Sequence, residues 1–244
     1  MSPRKTVFIT GASRGIGHAT AAYFVREGWR AITCSRDEVP PQCPRNERHA
    51  HITADLAETE KLEDVVARLH NVLEGQPLHA LVNNAGYSPK GEGGKRLGCL
   101  DGDLDTWQHT FAINFLAPVF FSRACAPLLE EAGGAIVNIT SIAGSRVHPF
   151  AGSAYSTSKA ALTALTRELA ADLAHMGIRV NAVCPGEINT AILSPGTEKL
   201  VERIPLRRLG SPDEVAAAIY YLCSEQASYI TGAEIPVNGG QDVY

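Results

Sequence analysis

The chain has 244 residues, of which 45% are hydrophobic and 20% are charged, with a formal net charge of -4 and a sequence pI near 6.1. These values are typical of one globular domain spanning residues 1–244. The mildly acidic balance disfavours nucleic acid and anionic membranes as main partners.

Short β-branched runs alternate with helical stretches along the whole chain. Strands are predicted at 5–10, 31–34, 51–54, 80–83, 135–140, 179–183 and 234–237. Helices are predicted at 19–27, 58–73, 106–131, 155–175 and 212–223, the last opened by a capping box from Ser211 to Glu214. This alternation predicts an α/β fold with a doubly wound parallel sheet of about seven strands and helices on both faces.

Two segments show neither the helical nor the strand pattern of hydrophobic residues. Residues 39–46 are rich in proline, and residues 87–102 hold five glycines between a predicted strand and the next helix. The second segment is longer than such a connection requires. We interpret it as a disordered surface loop, with a flap over the substrate as the alternative.

The six cysteines are scattered without the spacing of metal ligands, so no metal site is predicted and reduced, structural thiols are favoured. The apolar run that follows Arg4 and Lys5 is only a few residues long, which is too short for a signal peptide. We therefore expect a cytoplasmic protein.

A glycine-rich turn follows the first predicted strand. Gly11, Gly15 and Gly17 lie between that strand and a helix-like run. Glycines at such a turn let the backbone approach a pyrophosphate, where free N–H groups and the helix dipole favour negative charge. The turn predicts a dinucleotide site.

Tyr155 and Lys159 are separated by one helical turn, so both side chains can face the same cleft. A tyrosine titrates near pH ~10, and moving that pKa three units toward neutrality takes roughly 4 kcal/mol. We expect the cation of Lys159 to supply much of this free energy by stabilising the phenolate, which would make the phenol a useful acid.

These motifs resemble, in their order, those of the short-chain dehydrogenases/reductases, and the resemblance covers essentially the whole chain. The matching residues are Thr10-Gly11-x-x-x-Gly15-x-Gly17, Asn83-Asn84-Ala85-Gly86, Asn114, Ser141, Tyr155-x-x-x-Lys159, Pro185-Gly186-x-x-x-Thr190 and Val237-Asn238-Gly239-Gly240. The resemblance implies a single-domain Rossmann fold and an oxidoreductase that transfers hydride between a nicotinamide and a small carbonyl or alcohol. It also implies a homotetramer.

The resemblance assigns four catalytic residues. Tyr155 would exchange a proton with the substrate oxygen, and Lys159 would lower its pKa and hold the nicotinamide ribose. Ser141, at the carboxyl end of a predicted strand, would orient the carbonyl and stabilise its developing charge. Thr140 is a neighbouring hydroxyl, but the spacing to Tyr155 fits Ser141 better. Asn114 would hold a water in a proton relay, although a structural role would also satisfy its amide.

Cofactor choice is expected at the end of the second strand, where an acidic residue selects NAD and a basic one accommodates the 2'-phosphate of NADP. Here Ser35 and Arg36 occupy these places, and Arg14 adds a second cation. NADP is therefore favoured over NAD. In the alternative, Arg36 is solvated and Asp37 serves the ribose.

The remaining cofactor contacts follow from the same resemblance. Asp55 and Leu56 resemble the adenine-binding pair, and Asn83 to Gly86 resemble the segment that lines the adenine ribose and stabilises the sheet. A purely structural hydrogen-bonding role is the alternative for Asn83. The full predicted set comprises Gly11, Ser13, Arg14, Gly15, Ile16, Gly17, Ser35, Arg36, Asp55, Leu56, Asn83, Ala85, Gly86, Tyr155, Lys159, Pro185, Gly186, Ile188 and Thr190.

Predicted substrate contacts are mostly apolar. Glu187 is a departure, because many relatives have a large apolar residue there; it would bind a cationic or hydroxylated substrate or point into solvent. His148 is interpreted as an exposed loop residue, with a ligand contact as the alternative. By the resemblance, residues 191–204 would form a short substrate lid, which favours an open or compact pocket over one specialised for a steroid. The candidates are Ser141, Ala143, Phe150, Tyr155 and Glu187, with Ile142, Val147 and His148 beside them.

Three other functions are disfavoured by features of the sequence. A 3-oxoacyl-acyl-carrier-protein reductase uses basic residues to meet its acidic carrier, but the corresponding stretches 128–132 and 174–176 are acidic or neutral. A free small ketone or alcohol is therefore preferred. A catalytically idle NADP-binding redox sensor is disfavoured by the intact set of Asn114, Ser141, Tyr155 and Lys159. An epimerase or dehydratase of the extended branch would carry an additional substrate lobe.

Overall fold

A computed structural model describes residues 4–37, 48–193 and 196–243. Their seven strands form one parallel sheet in the order β3-β2-β1-β4-β5-β6-β7. The strands are β1 (Thr6–Thr10), β2 (Arg30–Ser35), β3 (His49–Thr53), β4 (Ala80–Asn83), β5 (Ala135–Ile139), β6 (Arg179–Pro185) and β7 (Glu234–Val237). The predicted doubly wound α/β fold is confirmed.

Six α-helices lie along the described residues. They are α1 (Gly15–Arg26), α2 (Leu62–Leu73), α3 (Leu104–Phe111), α4 (Ala117–Glu130), α5 (Ser153–Leu173) and α6 (Pro212–Cys223). The capping box predicted for α6 is present, with Ser211 and Glu214 each accepting from the other's backbone N–H. The helix predicted at 106–131 is interrupted by a π-helical turn, Ala112–Leu116, between α3 and α4.

The two faces of the sheet bury separate hydrophobic clusters. Along β1, Val7 and Ile9 face the cluster formed with α1 and α6, whereas Phe8 faces the one formed with α2, α4 and α5. The rings of Phe8 and Phe121 meet edge to face, with 5.6 Å between centroids. The stretch Leu104–Glu130 is long and apolar enough to cross a membrane, but 56% of its most apolar window is buried in the fold.

The interpretation of residues 87–102 as disordered is wrong. Residues 87–97, here named the flap, fold back on themselves through a bridge between Lys90 and Arg96. They dock on the loop before α5, where Leu97 O accepts from Ser153 N at 2.8 Å and Arg96 Nε donates to His148 O at 3.2 Å. Backbone and cationic donors thus order a loop whose glycine content suggested disorder.

The described cysteines are free thiols. Cys34, Cys125, Cys184 and Cys223 are buried and Cys99 is exposed. Burial raises the pKa of each of the four buried thiols to about 12, so they stay protonated. Cys43 and the proline-rich segment 39–46 lie outside the described residues.

Phe121→Ala should lower the free energy of unfolding by about 3–5 kcal/mol, because it leaves a cavity beside Phe8. Urea unfolding followed by circular dichroism measures this. Leu100→Ala, at a position 98% exposed, is the control and should change stability by no more than about 0.5 kcal/mol. Equal effects of the two substitutions would contradict the assignment of the core.

Candidate active site

A cleft of about 550 Å³ lies at the carboxyl edge of the sheet, where the connections from β1 and β4 run to opposite faces. Open α/β sheets bind ligands at this switch point. Of the predicted residues, the wall includes Gly11, Ser13, Arg14, Gly15, Ile16, Ser35, Arg36, Asp55, Leu56, Ala85, Gly86, Ser141, Tyr155, Lys159, Pro185, Gly186, Ile188 and Thr190.

The glycine turn packs directly on the end of β4. Gly11 has φ +67°, and a Cβ there would lie 2.6 Å from Ala85 Cα. A Cβ on Gly17 would lie 2.4 Å from Asn84 Nδ2. That amide donates to both Thr10 O and Gly11 O at 2.9 Å. Gly17 therefore serves packing beneath the cleft, and Asn84 fixes the turn and also lies on the wall of the cleft.

The first turn of α1 is open to the cleft. Among the described residues, no side chain caps it, and its first turn carries no acidic residue. By contrast, α6 begins with a complete capping box and two acidic residues. Free N–H groups at a helix N-terminus favour an anion. The turn therefore suits the phosphates of a dinucleotide.

The far end of the cleft, beyond β2, carries polar and charged side chains. Ser35 Oγ donates to Asp37 O at 2.8 Å, so its hydroxyl is used within the turn. Arg36 and Asp37 are exposed on the wall, as is Arg14 from the glycine turn. Two guanidinium groups and one carboxylate therefore border the place expected for the adenosine ribose.

Asn83 lies beneath the cleft instead of on its wall. Its Nδ2 donates to Asn138 Oδ1 at 2.9 Å and to Ser122 Oγ at 3.3 Å, joining β4, β5 and α4. A structural hydrogen-bonding role fits the position of Asn83, whereas the expected contact with the cofactor does not.

Ser141, Tyr155 and Lys159 lie on the same stretch of wall. Burial is the main influence on Tyr155 and raises its pKa, whereas its hydrogen bond with Ser141 acts in the opposite direction. Lys159 Nζ lies 5.8 Å from the centroid of the Tyr155 ring. The Tyr155 pKa is therefore raised where the sequence predicted a lowering, because desolvation of the phenolate outweighs the hydrogen bond with Ser141.

Lys159 is 3% exposed, and its Nζ donates to Ile139 O at 2.6 Å. Burial lowers its pKa to about 8, because a desolvated ammonium is costly. The carbonyl at the end of β5 thus holds the amine near the tyrosine ring.

Asn114 is fully buried in the π-helical turn and does not reach the wall. Its Oδ1 accepts from Tyr87 N at 2.8 Å, and its Nδ2 donates to Tyr87 O at 2.9 Å and Ser158 Oγ at 2.9 Å. The amide is occupied in tying the flap to α5, which matches the structural alternative for its side chain.

Of the eight predicted substrate residues, Ser141 and Tyr155 line the cleft and the other six do not. Ile142, Ala143, His148 and Glu187 are buried, Phe150 is half-buried, and Val147 is exposed. Residues of the flap and of the predicted lid line the cleft in their place. They are Tyr87, Ser88, Lys90, Gly94, Ala191, Ile192 and Leu193.

His148 and Glu187 form a buried pair, so the interpretation of either as solvent-exposed is wrong. Glu187 is 6% exposed, and its Oε1 lies 2.5 Å from His148 Nε2. His148 Nδ1 accepts from the backbone N–H groups of Phe150 and Ala151, each at 3.2 Å. The proton therefore lies on Nε2, which donates to Glu187.

The carboxyl-terminal segment braces this pair from behind. Gln241 Oε1 accepts from Glu187 N at 3.0 Å. A Cβ on Gly186 would lie 2.8 Å from Asn238 Cα, so the backbone of this segment leaves room only for glycine there. No local pattern in the sequence marks Gln241, since its contact crosses 54 residues.

Comparison with known proteins places these features in one family. A family model described as "Enoyl-(Acyl carrier protein) reductase" matches residues 11–242. Protein FixR of Bradyrhizobium diazoefficiens is 54% identical over 240 residues, covering 97% of this chain and 86% of that protein.

Solved structures agree with this assignment. A short-chain dehydrogenase/reductase from Brucella ovis, in complex with a partially ordered NAD, is 48% identical, with a TM-score of 0.82 over 97% of this chain and 100% of that chain. A 3-oxoacyl-[acyl-carrier protein] reductase with bound NAD from Brucella melitensis is 33% identical, with a TM-score of 0.88 over 98% and 91%. This chain is a member of the short-chain dehydrogenase/reductase family of oxidoreductases.

Proposed function

We propose that this protein is an NADP(H)-dependent oxidoreductase that interconverts a small carbonyl compound and its alcohol, with Tyr155 as general acid and base. The observation that carries the proposal is that Ser141, Tyr155 and Lys159 share one wall of a cleft whose opposite end is a glycine turn at an open helix N-terminus. Exposed Glu130 and Glu131 favour a free substrate over one attached to an acidic carrier.

Bound NADP(H) supplies or accepts the hydride. In reduction, the carbonyl oxygen accepts a hydrogen bond from Ser141 and then the proton of Tyr155. Because burial raises the Tyr155 pKa, the phenol carries its proton at neutral pH and is ready to act as an acid. Lys159, charged at pH values below about 8, offsets the negative charge left on the phenolate oxygen.

The preference for NADP rests on Arg14 and Arg36, which border the far end of the cleft. Guanidinium groups bind phosphate through two parallel hydrogen bonds, and two of them match a 2'-phosphate. Both Brucella structures contain NAD, so a comparison of NADPH and NADH binding to this protein tests the proposed preference directly.

Tyr155→Phe should lower turnover by a factor of at least ~100, because the ring remains but the proton donor is lost. NADPH oxidation across a panel of ketones measures turnover, and fluorescence titration should show unchanged cofactor affinity. Tyr220→Phe, in an aromatic cluster with Tyr23, Phe24 and Trp29, is the control and should keep full activity. Full activity of Tyr155→Phe would refute the proton-donor role.

Arg36→Asp should shift the ratio of NADPH to NADH affinity toward NADH by ~10-fold or more, since a charge-assisted contact is replaced by repulsion. Fluorescence titration with both cofactors measures this ratio. Arg26→Asp makes the same charge change in the last turn of α1, off the wall of the cleft, and should leave the ratio unaltered. An unchanged ratio in Arg36→Asp would remove the phosphate assignment.

The affinity for NADPH should fall as the pH rises from about 7 to about 9. The Lys159 pKa is lowered to about 8, so the amine is mainly charged below this value and loses its proton as the pH rises through it. Titrations at several pH values should show this fall in the unaltered protein and a flatter profile in Lys159→Met. Parallel profiles for the two proteins would show that another group is responsible.

A further inference from the structure

The flap brings a cation to the substrate end of the cleft. Lys90 lies on the wall with Tyr87, Ser88 and Gly94, and its Nζ donates to Phe150 O at 2.6 Å. Phe150 precedes Tyr155 by five residues, in the loop that opens α5. The ammonium is therefore held in place close to the helix that carries the proton donor.

The ammonium of Lys90 has capacity for further acceptors. It carries three N–H donors, and Phe150 O accepts only one of them. In the part of the chain that the structure describes, no carboxylate forms a direct ion pair with this lysine. Lys90 is half-buried, and its hydrogen-bonded partner among the described residues is a neutral carbonyl. An anion at the remaining N–H donors would therefore stabilise its charge.

Glu187 lies behind this part of the wall. Its carboxylate is buried, accepts from His148 Nε2 and does not line the cleft. Burial lowers the Lys90 pKa, and the charge of Glu187 acts in the opposite direction. The buried carboxylate thus favours the charged form of Lys90 without lining the cleft itself.

We propose that the substrate carries a carboxylate, which accepts hydrogen bonds from Lys90 Nζ while its carbonyl or hydroxyl meets Ser141 and Tyr155. This inference rests on the proposed function and names its substrate class as small oxo or hydroxy acids. A carboxylate matches one ammonium with two free donors, whereas a phosphate ester would call for a larger set of donors.

The test compares charged ketones with uncharged analogues of nearly the same shape. The probes are pyruvate, acetoacetate and levulinate, which differ in the distance between carbonyl and carboxylate, each beside its methyl ester. Dissociation constants are measured by calorimetry on the protein loaded with NADP+, which has no hydride to transfer to a ketone, and initial rates are measured in parallel with NADPH. Binding then reports on Lys90 independently of turnover.

At least one acid should bind ~10-fold or more tightly than its ester, since a charge-assisted hydrogen bond is the difference between them. Lys90→Met keeps much of the aliphatic stem and should reduce this ratio to about one, and Lys90→Arg should retain most of it. Lys95→Met is the matched control, since Lys95 is exposed on the same flap and lies off the wall. It should leave the ratio unchanged.

The proposal is overturned if no acid binds more tightly than its ester, or if the ratio survives in Lys90→Met. Tighter, Lys90-dependent binding of dihydroxyacetone phosphate than of every acid would also overturn it, in favour of a phosphate ester. Turnover of the esters without preference for the acids would leave the proposed function standing alone. Lys90-dependent binding of the acids without any turnover would support the anion site and count against the proposed reductase.

Discussion

The close approach between the glycine turn and the end of β4 is the constraint on which the site depends. Neighbouring parallel strands must send their connections to opposite faces at the switch point, which opens a gap at the carboxyl edge of the sheet. The Asn84 amide closes the floor of this gap by donating to Thr10 O and Gly11 O. The backbone can come this close only because positions 11 and 17 lack a Cβ. The open first turn of α1 thereby faces the cleft.

The other end of the cleft is built from long-range contacts. The amide of Asn114 holds the backbone of Tyr87, and Lys90 and Arg96 donate to carbonyls of the loop before α5. The π-helical turn places Asn114 inside the fold at the point where the flap begins. The π-helical turn thus holds the flap through Asn114, and the flap supplies much of the wall at the substrate end of the cleft.

The charged residues at this end lie at two depths, with Lys90 on the wall of the cleft. His148 and Glu187 lie behind the wall, where the backbone N–H groups of Phe150 and Ala151 fix the tautomer of the histidine. Gln241 holds the backbone of Glu187 from the opposite side. A buried carboxylate without such partners would be costly, so the network explains how an acidic residue is accommodated directly after Pro185 and Gly186.

The sequence by itself determined the α/β alternation, the glycine turn and the spacing of Ser141, Tyr155 and Lys159, because each depends on residues close together in the chain. It also named Arg14 and Arg36, whose positions follow from the ends of predicted elements. Only the tertiary structure decided that Asn83 and Asn114 are occupied by structural hydrogen bonds, that the flap is ordered, and that Glu187 is hidden while Lys90 faces the cleft. These outcomes depend on contacts between segments many residues apart, and local periodicity carries no information about which distant donor or acceptor a buried polar group will meet.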